Sequence, residues 1–184
     1  HHGDHFLGLP FLLLEWVHRG RKRPVRVVGP PETEAIARQV VERTYPSIFP
    51  LEVEVEWVTA EPGKRLDVGD LALEPVEVKH DRKLNLNLGF AATLGGRRFA
   101  YTGDSGMCDG VLDLARHAEV LVSECSSVAD HYDLHMNLRD DIPRLRAAMA
   151  PGAQLLLTHI NDDVRDLGGL ANTRIAGDFA TYRL

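Results

Sequence analysis

The sequence predicts a mixed α/β fold in which helices cover β-sheets. Three observations predict it: an apolar helical segment near the start, two strands joined by a glycine pair, and a later stretch in which helices and buried strands alternate. The 184 residues suffice for one domain with a sizeable core, so we expect a single domain over residues 1–184.

The first third of the chain should form helices and two strands. The apolar residues between Asp4 and Val17 recur at helical spacing, and Gly20 and Pro24 should end that helix. Three further elements are expected: a buried strand over 24–29, a helix opened by Pro31 that runs to Arg43, and a half-exposed strand over 52–58.

The rest of the chain should begin with strands over 71–79, 88–94 and 97–102, the last two joined at Gly95-Gly96. Five elements should follow: a helix over 109–117, a strand over 120–122, a helix over 138–149 and strands over 154–158 and 175–184.

Composition excludes several classes of protein. The net charge of −6 argues against a protein that coats nucleic acid non-specifically. No apolar run approaches the roughly 20 residues that a membrane span requires, so we expect no membrane association. Two cysteines are too few for a disulfide scaffold, which favours a reducing compartment and a cytoplasmic location.

Metal-ligating side chains recur where predicted strands end. His80, Asp104 and His159 each follow a strand, and a cluster, His2-Gly3-Asp4-His5, opens the chain. Imidazole and carboxylate are zinc ligands, so these groups could hold two metals. Taken singly, His80 could be a strand-end histidine, Asp104 a turn aspartate and His159 a buried core histidine.

The order of these residues resembles the metallo-β-lactamase superfamily, whose signature is His-x-His-x-Asp-His, then a distant His, an Asp and a final His. His2-Gly3-Asp4-His5 matches the last four positions of the first motif, so its first His would lie two positions before His2. The resemblance covers the whole chain. It implies an αββα sandwich that lacks its N-terminal strands here, so the domain would be N-terminally incomplete.

By this resemblance the chain is expected to hold two divalent metal ions, zinc by preference, with manganese and iron as alternatives. The implied ligands are His2, Asp4, His5, His80, Asp104 and His159. His2 and His80 would share one metal with the earlier histidine, the remaining histidines and Asp4 would hold the other, and Asp104 would bridge them. A metal-bridging hydroxide would be the nucleophile, and Asp4 would orient it.

Three segments resemble ribonuclease Z and its phosphodiesterase relatives: Leu88-Gly89-Phe90, Thr102-Gly103-Asp104-Ser105, and Ser123-Glu124-Cys125-Ser126 with the later His135-Met136-Asn137-Leu138. The likeness implies cleavage of phosphodiester bonds, with His135 as the general acid and His131 as its rival. Only 23 residues separate His80 from Asp104, which leaves room for a hairpin and none for the long tRNA-binding arm of ribonuclease Z.

The expected substrate is therefore a small phosphodiester or nucleotide-like molecule, as in the short phosphodiesterases of carbon–phosphorus lyase operons, and structured tRNA is disfavoured. Arg82 and Lys83 follow His80 and are candidates to hold a phosphate. The basic run from His18 to Arg23 is either a contact for a nucleic-acid backbone or a solvated helix end. Members of the family that the sequence resembles are often dimers, so a homodimer is the expected assembly.

Two other functions stay open. The same metal centre could hydrolyse a carboxylic ester, thioester or lactone. A non-hydrolytic or degenerate metal-binding member is the other alternative, although the retained His2 and His5 count against it.

Overall fold

The computed structural model describes residues 1–48, 52–84 and 86–182. The chain divides into two compact units, His1–Ala60 and Glu61–Leu184. Both mix helices with strands, as the α/β expectation requires. The expectation of one domain over residues 1–184 remains a prediction.

The first unit is built on a strand–helix–strand crossover. Its elements are α1 (Gly3–Phe6), α2 (Gly8–His18), β1 (Val25–Gly29), α3 (Thr33–Thr44), a 3-10 turn (Pro46–Ile48) and β2 (Val55–Thr59). β1 and β2 pair in parallel with Val25 opposite Val55, which requires a crossover, and α3 supplies it. Leu13, Val41 and Ile48 form the buried core of this unit.

The N-terminal helices differ from the expectation in two places. The single helix expected over 4–17 is two helices that meet at Leu7, and Gly20, at φ 59°, ends the second as predicted. α3 starts at Thr33 and not at Pro31, because Glu32 has left-handed backbone at φ 70° and cannot belong to a right-handed helix.

The second unit contains a seven-stranded sheet in sequential order. Its elements are β3 (Leu66–Val68), β4 (Leu71–Glu77), β5 (Leu88–Leu94), β6 (Arg97–Tyr101), α4 (Asp109–His117), β7 (Val120–Glu124), α5 (Asp141–Ala148), β8 (Gln154–Thr158) and β9 (Thr173–Ile175). Strands β3 to β6 pair antiparallel and β6 to β9 pair in parallel. Gly95 and Gly96, at φ 57° and 80°, make the expected hairpin between β5 and β6.

The core of the second unit lies between its sheet and two helices. Leu114 of α4 and Ile142 of α5 share a buried cluster with Leu121 of β7 and with Leu155 and Leu157 of β8. β7 and β8 are buried along almost their whole length, which explains why they read as continuous apolar runs.

Three elements of this unit were misjudged from the sequence. β3 was not predicted. The helix expected from Leu138 begins at Asp141, because the Asn137 side chain accepts the backbone N–H of Asp140 and diverts the chain before the helix. The strand expected over 175–184 is wrong: β9 ends at Ile175, and residues 176–182 turn so that Gly177 N–H donates to Tyr182 Oη. Residues 183–184 of that expected strand lie outside the described part.

Within the described residues, no helix combines the length and the apolar character that crossing a bilayer would require.

Candidate metal centre

Four strands of the second unit place polar side chains at the same end of the sheet, where the carboxyl ends of these strands lie. β4 and β6 each run antiparallel to β5, and β7 and β8 continue parallel to β6, so all four point the same way. His80 follows β4, Asp104 follows β6, Glu124 ends β7 and His159 follows β8. The carboxyl ends of such strands are where open α/β sheets build their sites.

Asp104 stands between two histidines. Its Oδ2 lies 3.4 Å from His159 Nε2 and 4.0 Å from His80 Nε2. Two ligands of a tetrahedral zinc ion, each about 2.1 Å from the metal, are separated by roughly 3.4 Å. The ligand atoms of His80, Asp104 and His135 all lie within 4.8 Å of one another. The donors therefore fit a divalent metal in type and spacing.

Burial strengthens the electrostatics of this cluster. The side chains of His80 and Asp104 are only 8% and 7% exposed, whereas His159 is 34% exposed at the mouth. A carboxylate in such a poorly solvated position attracts a cation far more strongly than a surface carboxylate does. The cluster is thus closed on one side and accessible on the other.

A backbone carbonyl holds the ring of His80. Its Nδ1 lies 2.9 Å from Leu134 O, so Nδ1 donates there and Nε2 faces Asp104. Metal-ligating histidines are usually oriented in this way by their second nitrogen. The loop of Leu134 packs on Gly106, where an added Cβ would lie 2.1 Å from Asp133 O. Only glycine leaves room for that contact.

His135 lies beside His80 and His159, the two candidate ligand histidines of this unit. Its ring centroid is 4.9 Å from that of His80 and 5.5 Å from that of His159, with which it is stacked. His135 Nδ1 is 2.8 Å from Glu124 Oε1. Because this hydrogen bond occupies Nδ1, Nε2 is the ring atom that would exchange a proton with a substrate.

Glu124 is hydrogen-bonded to several of the segments that carry the candidate site residues. Its Oε1 also accepts the Ser105 N–H at 2.8 Å, and its Oε2 accepts the Met136 N–H at 3.3 Å. Burial raises the pKa of Glu124 to about 8, against the opposing effect of these backbone donors. The residue thereby links the Asp104–Ser105 turn to the segment that carries His135.

Glu124 was not assigned a role from the sequence, although a signal was present. It is an acidic residue at the end of the apolar run Val120-Leu121-Val122, and buried carboxylates are rare unless they are paired. The strand-end rule that selected His80, Asp104 and His159 selects it as well.

Two of the candidate ligands, Asp104 and His159, lie at positions where the backbone has a positive φ or follows one. Gly103, at φ 61°, turns the chain out of β6 just before Asp104. His159 itself has φ 50°, a left-handed conformation that costs a non-glycine residue free energy and concentrates at functional sites.

The first motif lies in the first unit. His2 is the residue before α1, and Asp4 and His5 belong to α1, with His5 Nε2 3.4 Å from Asp4 Oδ2. Asp4 and His5 are exposed within a short helix, so their side chains are accessible for coordination.

The remaining predicted site residues lie on exposed segments. Arg82 pairs with Asp133 at 3.3 Å, and Lys83 donates its backbone N–H to Asp81. His131, the rival of His135, is 3.7 Å from Asp140 and largely exposed. Of the two, His135 is the histidine placed at the strand edge.

The sheet, its strand-edge histidines and the buried aspartate define a metal-dependent hydrolase of the metallo-β-lactamase fold. A family model described as "Beta-lactamase superfamily domain" matches residues 1–160, and the chain belongs to this superfamily. The αββα fold class expected from the sequence is thereby confirmed.

Several relatives fall in the branch expected from the sequence. Ribonuclease Z of Myxococcus xanthus is 26% identical over 207 residues, which cover 87% of this chain and 67% of that protein. A crystal structure of a diphosphatase from the PhnP family is 20% identical, with a TM-score of 0.69 over 96% of this chain and 66% of its own. The crystal structure of human tRNase Z, short form, is 21% identical, with a TM-score of 0.66. The match covers 97% of this chain and 74% of that one. The chain thus spans about two thirds of the length of these proteins.

Proposed function

We propose that this protein is a binuclear metal-dependent phosphodiesterase. The observation that carries the proposal is the Glu124–His135 hydrogen bond of 2.8 Å beside His80, Asp104 and His159. Hydrolysis of a phosphodiester expels a poor alkoxide leaving group, so a positioned proton donor beside the metal ligands suits that reaction.

The proposed metal ligands are the three strand-edge residues His80, Asp104 and His159 together with His2, Asp4 and His5 of the first motif. The spacing around Asp104 Oδ2 supports the first three, and the motif resemblance supports the others. When bound, divalent ions would supply Lewis acidity and a nucleophile at neutral pH, with zinc as the expected ion and manganese or iron as alternatives. Asp4 would orient the attacking water.

His135 would donate a proton from Nε2 to the departing oxygen. Glu124 would keep the ring aligned through its hydrogen bond with Nδ1. Removal of a general acid typically lowers the rate by about 10²–10⁴-fold. Arg82 and Lys83, just beyond His80, would attract the phosphate to the site.

The proposed substrate is a small phosphodiester or a nucleotide-like molecule, and structured tRNA is disfavoured. The described residues between His80 and Asp104 form a loop and the β5–β6 hairpin, as expected for a chain without a long arm. The named activities of the ribonuclease Z and diphosphatase relatives support phosphoester chemistry. A homodimer and a cytoplasmic location remain predictions.

The test measures metal content by mass spectrometry and turnover of bis-p-nitrophenyl phosphate and of a dinucleotide by the full-length native protein. We expect two metals per chain. His135→Ala should lower kcat by about 10²–10⁴-fold for a dinucleotide, whose alkoxide leaving group needs a proton, and by less for the p-nitrophenyl diester, whose phenolate leaves without one. His131→Ala is the matched control, since His131 lies on the same loop and pairs with Asp140, and its kcat should stay near that of the wild type.

Other results would redirect the assignment. Two metals with turnover of a lactone or thioester and none of the diester would favour the ester-hydrolase alternative. A native protein without metal would overturn the catalytic proposal and leave a degenerate binding member.

A further inference from the structure

A cavity of the Glu61–Leu184 unit lies at the opposite end of its strands from the candidate metal centre. It measures about 560 Å³, and its walls come from the start of β6, the end of α4 and the residues that precede β7 and β8. Strands β7 and β8 are each five residues long. Because the cavity and the candidate metal centre lie at opposite ends of these strands, they are roughly 17 Å apart. A volume of this size is typical of ligand pockets.

Three arginines from three different elements line this cavity. Arg97 comes from β6, Arg116 from α4 and Arg174 from β9, and the carboxylate among the lining residues is that of Glu119. The local charge is therefore positive, although the whole chain carries −6. Convergence from separate elements is not what a single run of surface basic residues produces.

Glu119 neutralises one of these charges. Arg97 Nε lies 3.1 Å from Glu119 Oε2, and the Arg98 N–H donates to Oε1 of the same carboxylate at 3.1 Å. The Arg97 guanidinium also lies 5.9 Å from the centroid of the Phe99 ring. These contacts hold Arg97 in place, so it needs little ordering to receive a ligand.

Arg116 and Arg174 carry the excess charge. Across the described ranges 1–48, 52–84 and 86–182, neither forms an ion pair or a side-chain hydrogen bond. Arg116 lies in the last turn of α4, where a cation also suits the helix dipole. Arg174 lies in a strand, so the dipole does not account for it.

We propose that this cavity, which we call the arginine pocket, binds a phosphate group of an anionic ligand. Guanidinium groups form paired hydrogen bonds with phosphate oxygens, and three of them around one cavity match a phosphate. The phosphate could belong to a mononucleotide or to a polynucleotide backbone beyond the bond being cut. Binding of a polynucleotide backbone rests on the proposed phosphodiesterase function, whereas binding of a mononucleotide does not.

The test compares the metal-loaded wild type with the double variant Arg116→Ala/Arg174→Ala. Calorimetry would measure the binding of inorganic phosphate, AMP and a single-stranded oligoribonucleotide. We expect the dissociation constant of at least one probe to rise about tenfold or more in the double variant. The matched control is Arg65→Ala/Arg144→Ala, two exposed arginines of the same unit outside the pocket, which should bind as the wild type does.

The probes separate the two sources of phosphate. Weaker binding of phosphate or AMP indicates a mononucleotide site. Weaker binding of the oligoribonucleotide alone, with a salt dependence reduced by about 1 per lost contact, indicates a polynucleotide backbone. Equal binding of all three probes to wild type and double variant would overturn the proposal.

Turnover of bis-p-nitrophenyl phosphate keeps this result separate from the proposed function. The small diester does not reach the arginine pocket, so its kcat and KM should be unchanged in the double variant. If the wild type does not cleave the diester at all, the phosphodiesterase proposal fails, while the binding measurements still decide the pocket.

Discussion

Glu124 connects three parts of the candidate centre through one carboxylate. It accepts hydrogen bonds from the Ser105 and Met136 backbone and from His135 Nδ1. The side chain is 1% exposed, so each of these bonds is protected from competition by water. Replacing one carboxylate oxygen of Glu124 by an amide nitrogen should therefore lower the activity of the site more than it perturbs the fold.

Glu124→Gln should lower kcat for the diester by about 10–100-fold while metal content is retained. The glutamine amide has one acceptor oxygen, so its nitrogen would oppose either the Met136 N–H or the donors at Oε1. Steady-state kinetics would separate kcat from KM, and we expect the change mainly in kcat. Glu61→Gln, an exposed carboxylate paired with Lys64, is the control. A wild-type kcat in Glu124→Gln would remove Glu124 from the mechanism.

The two cysteines should differ in reactivity. Burial raises the pKa of Cys125 to about 12 and the residue is fully buried, whereas Cys108 is half-buried at the start of α4. At pH 8 the native protein should therefore react with Ellman's reagent at one thiol, and the unfolded protein at both. Cys108→Ser should abolish the native reaction. Rapid reaction of that native variant would contradict the buried position of Cys125.

At the scale of elements, the positions of the proposed catalytic groups depend on short connections after strands. The loop that precedes α5 carries both His135 and the Leu134 carbonyl that orients His80. The bridge between Lys79 and Gly106 ties the end of β4 to the turn after β6. One loop therefore aligns the candidate metal ligand His80 and the proposed proton donor His135 together.

Gly106→Ala should separate these groups. A Cβ at this position would meet Asp133 O at 2.1 Å, so the loop must move away from the strand edge. We expect kcat to fall about 10²-fold or more, because a displacement near 1 Å has that cost. Circular dichroism should show that the secondary structure is kept.

Gly152→Ala is the matched control for this change. Gly152 lies in the turn before β8, where an added Cβ meets nothing within 4 Å. Its kcat should match that of the wild type. Equal kinetics of the two alanine variants would show that the contact at Gly106 does not position the site.

At the scale of the whole molecule, the buried Glu124 makes stability depend on pH. Its pKa is about 8 in the folded chain, against an ordinary glutamate pKa of 4.5 once the chain is unfolded. Between these values the folded protein holds a proton that the unfolded protein has released. The free energy of unfolding of the metal-free protein should therefore fall as pH rises through this window, by at most about 1.4 kcal/mol per unit.

Urea unfolding of the chelator-treated protein at pH 5 and pH 8 would measure this slope. The wild type should be less stable at pH 8, and Glu124→Gln should show a smaller difference because its amide does not titrate. An identical slope in both proteins would assign the pH dependence to other groups. Added zinc should raise the stability of the wild type, since a ligand that binds only the folded state stabilises it.

The fold class and the positions of the strand ends that carry the candidate ligands could be predicted from the sequence. Helical periodicity located α4 at 109–117, alternation and apolar runs located β5 and β8, and the glycine pair located the hairpin. The cluster His2-Gly3-Asp4-His5, followed in order by His80, Asp104 and His159, indicated the superfamily. These features are local, so they are written in short stretches of sequence.

The pairs of side chains that meet in space could be identified only from the tertiary structure. The hydrogen bond from His135 to Glu124 and that from His80 to Leu134 O join residues 11 and 54 positions apart. The convergence of Arg97, Arg116 and Arg174 on one cavity likewise depends on strand register and loop packing. Such contacts follow from how the sheet brings distant segments together, and no local pattern in the chain encodes them.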